Sequence, residues 1–544
     1  MPPSAEDVQP DVSQLPAWEY YPTPRRTGMR IVGFTVIPAL YKLVCIGAGC
    51  AGVYMAYRVP RALKDVSLVI YDKNPSLGGT WLENRYPGCA CDIAAHHYSW
   101  SFELNPNWTS SYAGAEEIWR YQDAVADKYD CKKYMKFNTR ITDASFDEKA
   151  GVWKLTGTGA NGEAITDECE VLVSGMGALN SWKWPDIKGL EDFKGKKMHT
   201  AAWDQKYDLT GKTVACIGTG ASAIQTIPKV QKVAAHLDVY QRSPVWVPSM
   251  LAGDTVTYTE AQKQRWRDHP EELKAFYDAF CDGSEDGFKL FMANSPGNKE
   301  WLATVLKRYE TLIPDPAFRK KVTPDYDIGC RRITPHETYL QAIQEKNVDL
   351  IVEKIDHIVA NGVVTKDGVL HPVDVLITAT GFDTSFIPRV EITGLGGLTL
   401  KKAWSDISEG YLGTAVAQFP NYFMFLGPQT PIGQASLLPY MEAQGDYIMK
   451  CIEKMQVDSI KYMSPNVQVQ REFNDWSQAY LKKTVWASSC SSWYKDAKGR
   501  NMAIWPGSAK HFINFLKTPR MEDYDLVYTK ANRFENLLAS GLTR

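Results

Sequence analysis

Two adjacent arginines, Arg331 and Arg332, stand in residues 329–335, which read GCRRITP. A guanidinium keeps its proton at physiological pH, so it can stabilise a neighbouring anion without protonating it. In a site that excludes water, such a fixed cation stabilises negative charge that develops during a reaction. A solvated basic pair on a loop would have the same sequence. The residues alone leave both interpretations open.

A glycine-rich turn follows the first predicted strand, residues 42–46. The turn reads GAGCAG, and a helical segment that Pro60 should close leads to a second apolar strand, residues 66–71. Asp72 ends that strand, where an acid accepts hydrogen bonds from an adenosine ribose. The turn's glycines permit a tight turn, close approach of a pyrophosphate and helix–strand packing: Gly47, Gly49 and Gly52. The arrangement predicts a dinucleotide site.

A second turn of this type, GTGASA at residues 218–223, follows the apolar run 213–217. The next strand, residues 237–241, does not end in an acid but continues into Arg242 and Ser243. An arginine beside a hydroxyl suits the 2′-phosphate of NADPH. Two turns with opposite charge preference predict two nucleotides, FAD at the first and NADPH at the second.

Residues 78–92, GGTWLENRYPGCACD, form a glycine-rich loop between the two turns. Such loops are common in α/β proteins. Consecutive glycines also let a chain pass close to a flat ring system, and Trp81 and Tyr86 could form the walls around that ring. This second interpretation predicts contact with the flavin.

Residues 193–204, FKGKKMHTAAWD, lie just before the second turn and hold a histidine and a tryptophan at fixed spacing. A histidine seen alone is more often a hydrogen-bonded structural residue than a catalyst. The location between two nucleotide sites predicts that His199 and Trp203 position one cofactor against the other.

The two patterns F-x-G-x-x-x-H-x-x-x-W-D and G-G-x-W-x-x-x-x-Y-P-G-x-x-x-D resemble the signatures of type I Baeyer–Villiger monooxygenases, and every fixed position matches. The resemblance extends over residues 42–528 and is closest to fungal members. It implies an enzyme that uses NADPH-reduced FAD and O2, through a C4a-peroxyflavin, to convert a small-molecule ketone into an ester or lactone. It also implies that Arg332 is the active-site arginine, with Asp92 as its carboxylate partner.

The resemblance assigns further residues to the two cofactors. Those expected at FAD are Gly47, Gly49, Gly52, Asp72, Lys73, Gly79, Thr80, Trp81, Asp92 and Tyr98. Those expected at NADPH are Gly218, Thr219, Gly220, Ser222, Gln225, Arg242, Ser243 and Arg331, with His199 and Trp203 in the linker.

The expected fold is α/β, with two Rossmann-like dinucleotide-binding domains and a helical insertion in the second. The predicted divisions are an N-terminal arm at 1–40, an FAD domain at 41–180 and 374–544, an NADPH domain at 181–250 and 331–373, and an insertion at 251–330. The return strand to the FAD domain is expected at residues 375–382, which read VLITATGF.

Composition excludes several classes of protein. A chain of 544 residues with a net charge of −2 has no polyanion-binding footprint, so nucleic acid is not expected as a partner. The apolar run 31–41 is too short to span a bilayer. Eleven scattered cysteines favour a reducing compartment, with the cytoplasm as the default, over a disulfide framework. No metal is expected, because His96 and His97 have no ligand partner at metal-site spacing. Oligomeric state has no signal in the sequence.

Two alternatives remain. A flavin monooxygenase acting on nitrogen or sulfur shares both glycine-rich turns and the F-x-G-x-x-x-H core, but the W-D ending and the Trp81 pattern argue against it. An NADPH-dependent flavoprotein reductase would carry a CxxC pair near the flavin. The only close pair is Cys89-x-Cys91.

Overall fold

The computed structural model describes residues 41–251, 253–430, 433 and 435–534, so the predicted arm at 1–40 lies outside the described residues. The strands are β1 (Tyr41–Ile46), β2 (Val66–Tyr71), β3 (Met135–Lys136), β4 (Arg140–Asp147), β5 (Val152–Thr158), β6 (Ala164–Cys169), β7 (Val171–Ser174), β8 (Lys196–His199), β9 (Thr213–Ile217), β10 (His236–Tyr240), β11 (Val348–Ile351), β12 (Ile355–Val359), β13 (Gly362–Thr365), β14 (Leu370–Pro372), β15 (Val375–Thr378), β16 (Glu391–Thr393), β17 (Tyr422–Met424), β18 (Ile460–Pro465) and β19 (Tyr524–Tyr528). The helices are α1 (Cys50–Ala62), α2 (Thr80–Glu83), α3 (Ala115–Lys128), α4 (Ala221–Gln231), α5 (Glu260–Asp268), α6 (Pro270–Lys289), α7 (Pro296–Leu312), α8 (Pro316–Val322), α9 (Tyr339–Ala342), α10 (Leu400–Ala403), α11 (Leu437–Asp458), α12 (Val467–Leu481) and α13 (Ala509–Leu516).

The first parallel sheet has the strand order β17-β7-β1-β2-β3. Helices or other chain segments cover both faces of such a sheet, so most side chains of its central strands are buried and apolar. Helix α1 follows β1 and packs against α11. It runs two residues past Pro60, which was expected to end it. A proline in the last turn removes one hydrogen bond, and helix ends vary by such lengths.

The second parallel sheet has the order β11-β10-β9-β15-β8. Strand β15 was expected to return the chain to the FAD domain. It instead pairs with both β9 and β8, so it is an inner strand of this second sheet. An apolar run in a strand indicates burial but not the sheet that buries it, so the sequence could not assign β15 to a sheet.

The remaining described strands form three smaller sheets: β16-β4-β5-β6, β12-β13-β14 and β18-β19. Helices α5 to α8 fall in the range predicted for a helical insertion. In the ranges that the structure covers, no helix is long and apolar enough to cross a membrane.

Candidate active site

In the first glycine-rich turn, the backbone is packed so closely that side chains at two of the glycine positions would not fit. Gly47 has φ +113°, and a Cβ there would lie 2.4 Å from the carbonyl oxygen of Gly175. A Cβ on Gly52 would lie 2.4 Å from the oxygen of Gly47. Gly49 faces Gly79 of the Trp81 loop, with 3.6 Å between its Cβ position and that Cα. Helix α1 begins without a side-chain cap, so its first N–H groups can bind a pyrophosphate.

Asp72 lies at the end of β2 and is 7 % exposed. Its two carboxylate oxygens accept from the N–H of Ala48 at 2.6 Å and of Asn74 at 2.7 Å. Burial raises the pKa of Asp72, and these two hydrogen bonds oppose that effect. Each oxygen keeps acceptor capacity for a ribose hydroxyl. Lys73 is exposed and pairs with Glu83 at 2.8 Å.

Trp81 is a buried residue of α2, only 8 % exposed. Its Nε1 donates to the hydroxyl of Tyr98 at 3.1 Å, and the two rings pack edge to face. Thr80 is exposed at the start of the same helix. Thr80 and Trp81 directly follow Gly79, and the hydrogen bond from Trp81 places Tyr98 beside this loop. Contact of these residues with FAD stays a prediction.

Tyr86, predicted as a wall of the flavin ring, contacts the helix of the second glycine-rich turn. Its hydroxyl donates to Oε1 of Gln225 on α4 at 2.8 Å, and Nε2 of Gln225 donates to the carbonyl of Ala90 at 2.9 Å. Gly88 has φ +84°, and a Cβ there would lie 2.4 Å from the carbonyl oxygen of Gln225. The Y-P-G part of the signature therefore docks the loop onto the helix of the second nucleotide site. Sequence could not show this, because the loop and the helix are far apart along the chain.

Gly88→Ala is expected to slow flavin reduction by NADPH about tenfold or more while FAD content stays normal. The added methyl group must displace the α4 backbone, and a shift near 1 Å between two reacting groups can cost about 100-fold in rate. Anaerobic stopped-flow reduction measures the effect. Gly162→Ala is the matched control, since Gly162 also has a positive φ but a Cβ there meets nothing within 4 Å. Equal reduction rates in the two variants would contradict the docking role.

The second glycine-rich turn precedes α4. Gly218 has φ +114°, and a Cβ there would lie 2.6 Å from the carbonyl oxygen of Ala379, whereas a Cβ on Gly220 meets only open space. Helix α4 has no side-chain cap, so its first N–H groups face this space. Thr219 donates to the carbonyl of Ser243 at 3.3 Å, and the hydroxyl of Ser222 lies on the other side, 3.2 Å from that of Thr200.

Arg331 joins the end of β10 to the arginine loop. Its Nη1 donates to Oγ of Ser243 at 2.9 Å, and its guanidinium lies 4.7 Å above the ring of Tyr326. Arg242, next to Ser243, is exposed. Two guanidinium groups and a hydroxyl therefore lie at one strand end, and this donor set fits a 2′-phosphate.

Arg332 and Asp92 form an ion pair across 240 residues of sequence. Nη2 of Arg332 lies 2.8 Å from Oδ1 and 2.9 Å from Oδ2 of Asp92. Their side chains are 32 % and 20 % exposed, so the pair is half-buried. The negative charge of Asp92 raises the pKa of Arg332, and burial acts against it. Arg332 is thus a permanent cation held in one orientation, as the resemblance implied.

His199 ends β8 with none of its surface exposed. Its ring stacks on Trp182 with 4.7 Å between centroids, and Nδ1 accepts from the N–H of Ala201 at 3.1 Å. Burial lowers the pKa of His199 to about 4, so the ring is neutral at physiological pH. Trp203 packs against the core of the second sheet. A Cβ on Gly195 would lie 2.3 Å from the carbonyl oxygen of Asp374, which explains the glycine of this motif.

The scattered cysteines predicted a reducing compartment rather than a disulfide framework, and one pair departs from that prediction. Cys330 and Cys490 form a disulfide with 6.2 Å between their Cα atoms. The two residues are 160 positions apart, so their spacing carried no signal. The remaining nine cysteines are free thiols. Cys89 and Cys91 are among them, and burial raises the pKa of Cys89 to about 11, which removes the chemical basis for a reactive dithiol of a reductase.

Two further placements concern the metal prediction. His96 and His97 pack among aromatic side chains of α5 and α6, including Trp266 and Phe280. His236, Asp238 and Asp349 have ligand atoms within 4.8 Å of one another at the edge of the second sheet. The absence of a metal stays a prediction.

Two family models match the chain. Residues 45–114 match an NAD(P)-binding Rossmann-like domain, and residues 98–267 match the flavin-binding monooxygenase-like family.

Relatives match over most of the chain. A Baeyer–Villiger monooxygenase of Pseudomonas aeruginosa is 37 % identical over 91 % of this chain and 93 % of its own length. The FAD-binding monooxygenase moxY of Dothistroma septosporum is 38 % identical over 93 % of this chain and 83 % of its own. The NADP+-bound structure of cyclohexanone monooxygenase from Rhodococcus sp. Phi1 covers 90 % of this chain and 100 % of its own, with a TM-score of 0.79 and 26 % identity. The chain therefore belongs to the type I Baeyer–Villiger monooxygenases, enzymes that use FAD and NADPH to insert one oxygen atom of O2 beside a ketone carbonyl.

Proposed function

We propose that Arg332, oriented by Asp92, is the cation of the oxygenation site. When bound, FAD and NADPH supply the electrons and the oxygen activation. The protein must then stabilise the negative charge that develops as oxygen adds to the carbonyl carbon. The contacts of Nη2 with both oxygens of Asp92, at 2.8 and 2.9 Å, support this role most directly. A guanidinium fixed before the reaction needs no reorganisation when that charge forms.

Arg331, Arg242 and Ser243 are proposed to hold the 2′-phosphate of NADPH, and the open N-terminus of α4 at Gly220 its pyrophosphate. The contact between Arg331 and Ser243 supports the first part. The space at Gly220 supports the second. Asp72 and the facing glycines Gly49 and Gly79 support the matching assignment of FAD to the first sheet.

The domain assignment follows from these sites. The proposed FAD domain comprises residues 41–180 and the chain after β15, and the NADPH domain comprises residues 181–250 and 331–378. Residues 251–330 are proposed as a helical insertion. The nine free thiols support a proposed cytoplasmic location, and the Cys330–Cys490 disulfide is the one cysteine pair that argues against a reducing compartment.

The proposed substrate is a small uncharged ketone. The test is incubation with NADPH, O2 and a panel of cyclohexanone, 2-octanone, progesterone and thioanisole, analysed by mass spectrometry for the gain of one oxygen. The expected product is an ester or lactone from at least one ketone. Sulfoxide without any ester or lactone would overturn the proposal.

A further inference from the structure

Tyr494 holds a polar group that the assigned site does not use. Its side chain is 1 % exposed, and within the described residues its hydroxyl proton has no acceptor. Nε1 of Trp486, also 1 % exposed, is in the same condition. Buried polar groups in folded proteins almost always have partners, so two unpaired groups in one region need an explanation.

Both side chains face the same point. The hydroxyl oxygen of Tyr494 and Cζ2 of Trp486 each lie 3.6 Å from the position that a Cβ on Gly433 would occupy. Burial raises the pKa of Tyr494 most, and the charge of Arg332 and its hydrogen bond to the hydroxyl oxygen lower it. The hydroxyl, whose own proton has no acceptor, is therefore a neighbour of the Arg332–Asp92 pair.

The segment that carries Tyr494 is fastened to the arginine loop. The disulfide between Cys330 and Cys490 joins them directly. Nζ of Lys495 donates to the carbonyl of Ser488 at 2.6 Å and lies 3.6 Å from Sγ of Cys330. These contacts flank Tyr494 in one segment and precede Arg332 in the other, so they hold the two segments side by side.

The hydroxyl of Tyr494 keeps its proton at neutral pH. Burial is the largest influence and raises its pKa to about 12, even though Arg332 opposes this. A protonated phenol and an indole N–H are both donors. A ligand that forms hydrogen bonds with these two groups must therefore offer an acceptor. A ketone offers its carbonyl oxygen as an acceptor and has no donor group.

We propose that the Tyr494 hydroxyl is a hydrogen-bond donor of the oxygenation site, held beside Arg332 to bind the carbonyl oxygen of the ketone. This inference rests on the proposed function of Arg332 and extends it from charge stabilisation to substrate recognition. It also gives the Cys330–Cys490 disulfide a role in positioning, since that bond ties the donor to the cation.

Tyr494→Phe tests the proposal with the FAD-loaded full chain. Removing a hydroxyl whose proton has no acceptor should change the melting temperature little. Flavin reduction by NADPH should stay within about twofold of the unchanged enzyme, because the nucleotide sites are intact. The KM for the best ketone of the panel should rise about tenfold, the effect of one lost hydrogen bond, and more of the NADPH should end as hydrogen peroxide.

The matched control is Tyr240→Phe. The hydroxyl of Tyr240 is also buried and unpartnered within the described residues, but its ring lies on β10 of the second sheet and packs edge to face against His371 of β14. This variant should keep the ketone KM and the ester yield per NADPH. An unchanged ketone KM and ester yield in Tyr494→Phe would overturn the inference. Failure of the unchanged enzyme to oxygenate any ketone would instead overturn the proposed function.

Discussion

Arg332→Ala is expected to form no measurable ester, although NADPH still reduces its flavin at the normal rate. Loss of one preorganised group that stabilises developing charge costs about 100- to 1,000-fold in rate. Here the group also carries the full positive charge, and the contacts of its Nη2 with both oxygens of Asp92 fix its direction. The readouts are ester per NADPH, hydrogen peroxide and anaerobic flavin reduction.

Two variants separate charge from geometry at this position. Arg332→Lys keeps a cation but loses the planar fork, so we expect partial oxygenation. Asp92→Asn keeps an acceptor for the fork but removes its charge, and we expect a smaller loss than in Arg332→Ala. Because the pair is half-buried, either change should cost roughly 1 to 3 kcal/mol of stability. Normal ester formation by Arg332→Ala would remove Arg332 from its proposed role.

Arg331→Ala is expected to raise the KM for NADPH about 10- to 100-fold and to leave the KM for NADH nearly unchanged. Hydrogen bonds to a charged phosphate contribute about 1.5 to 3 kcal/mol to binding. NADH has no 2′-phosphate, so its binding does not depend on these hydrogen bonds. The measurement is the rate of anaerobic flavin reduction against the concentration of each nucleotide. The unchanged enzyme should be reduced far faster by NADPH than by NADH.

Arg331 also packs on the ring of Tyr326, so the loss of this packing in Arg331→Ala must be distinguished from the loss of phosphate binding. Arg242→Ala supplies this control, because Arg242 is exposed and its loss should shift the preference in the same direction without disturbing that contact. An equal rise in KM for NADPH and NADH in Arg331→Ala would assign Arg331 to packing alone.

The elements around both nucleotide turns were predictable from local sequence. Strands β1, β2, β9 and β10 lie within one residue of the predicted runs at their ends. The two glycine-rich turns were also predictable from local sequence. A side chain at Gly47 or Gly218 would meet neighbouring backbone, so only glycine fits these positions. The sequence could not predict which sheet contains β15, because strand pairing depends on neighbours from distant parts of the chain.

The sequence by itself determined the family and the two cofactors, and it predicted the arginine of the site and its carboxylate partner. Those features depend on residue types at short spacing, where steric and hydrogen-bonding requirements leave few alternatives. Only the tertiary structure decided that Tyr86 and Gly88 dock on Gln225, and that a disulfide holds the Tyr494 segment against the arginine loop. Both arrangements join segments more than 100 residues apart, and the packing of whole elements, rather than any local pattern, sets which of them meet.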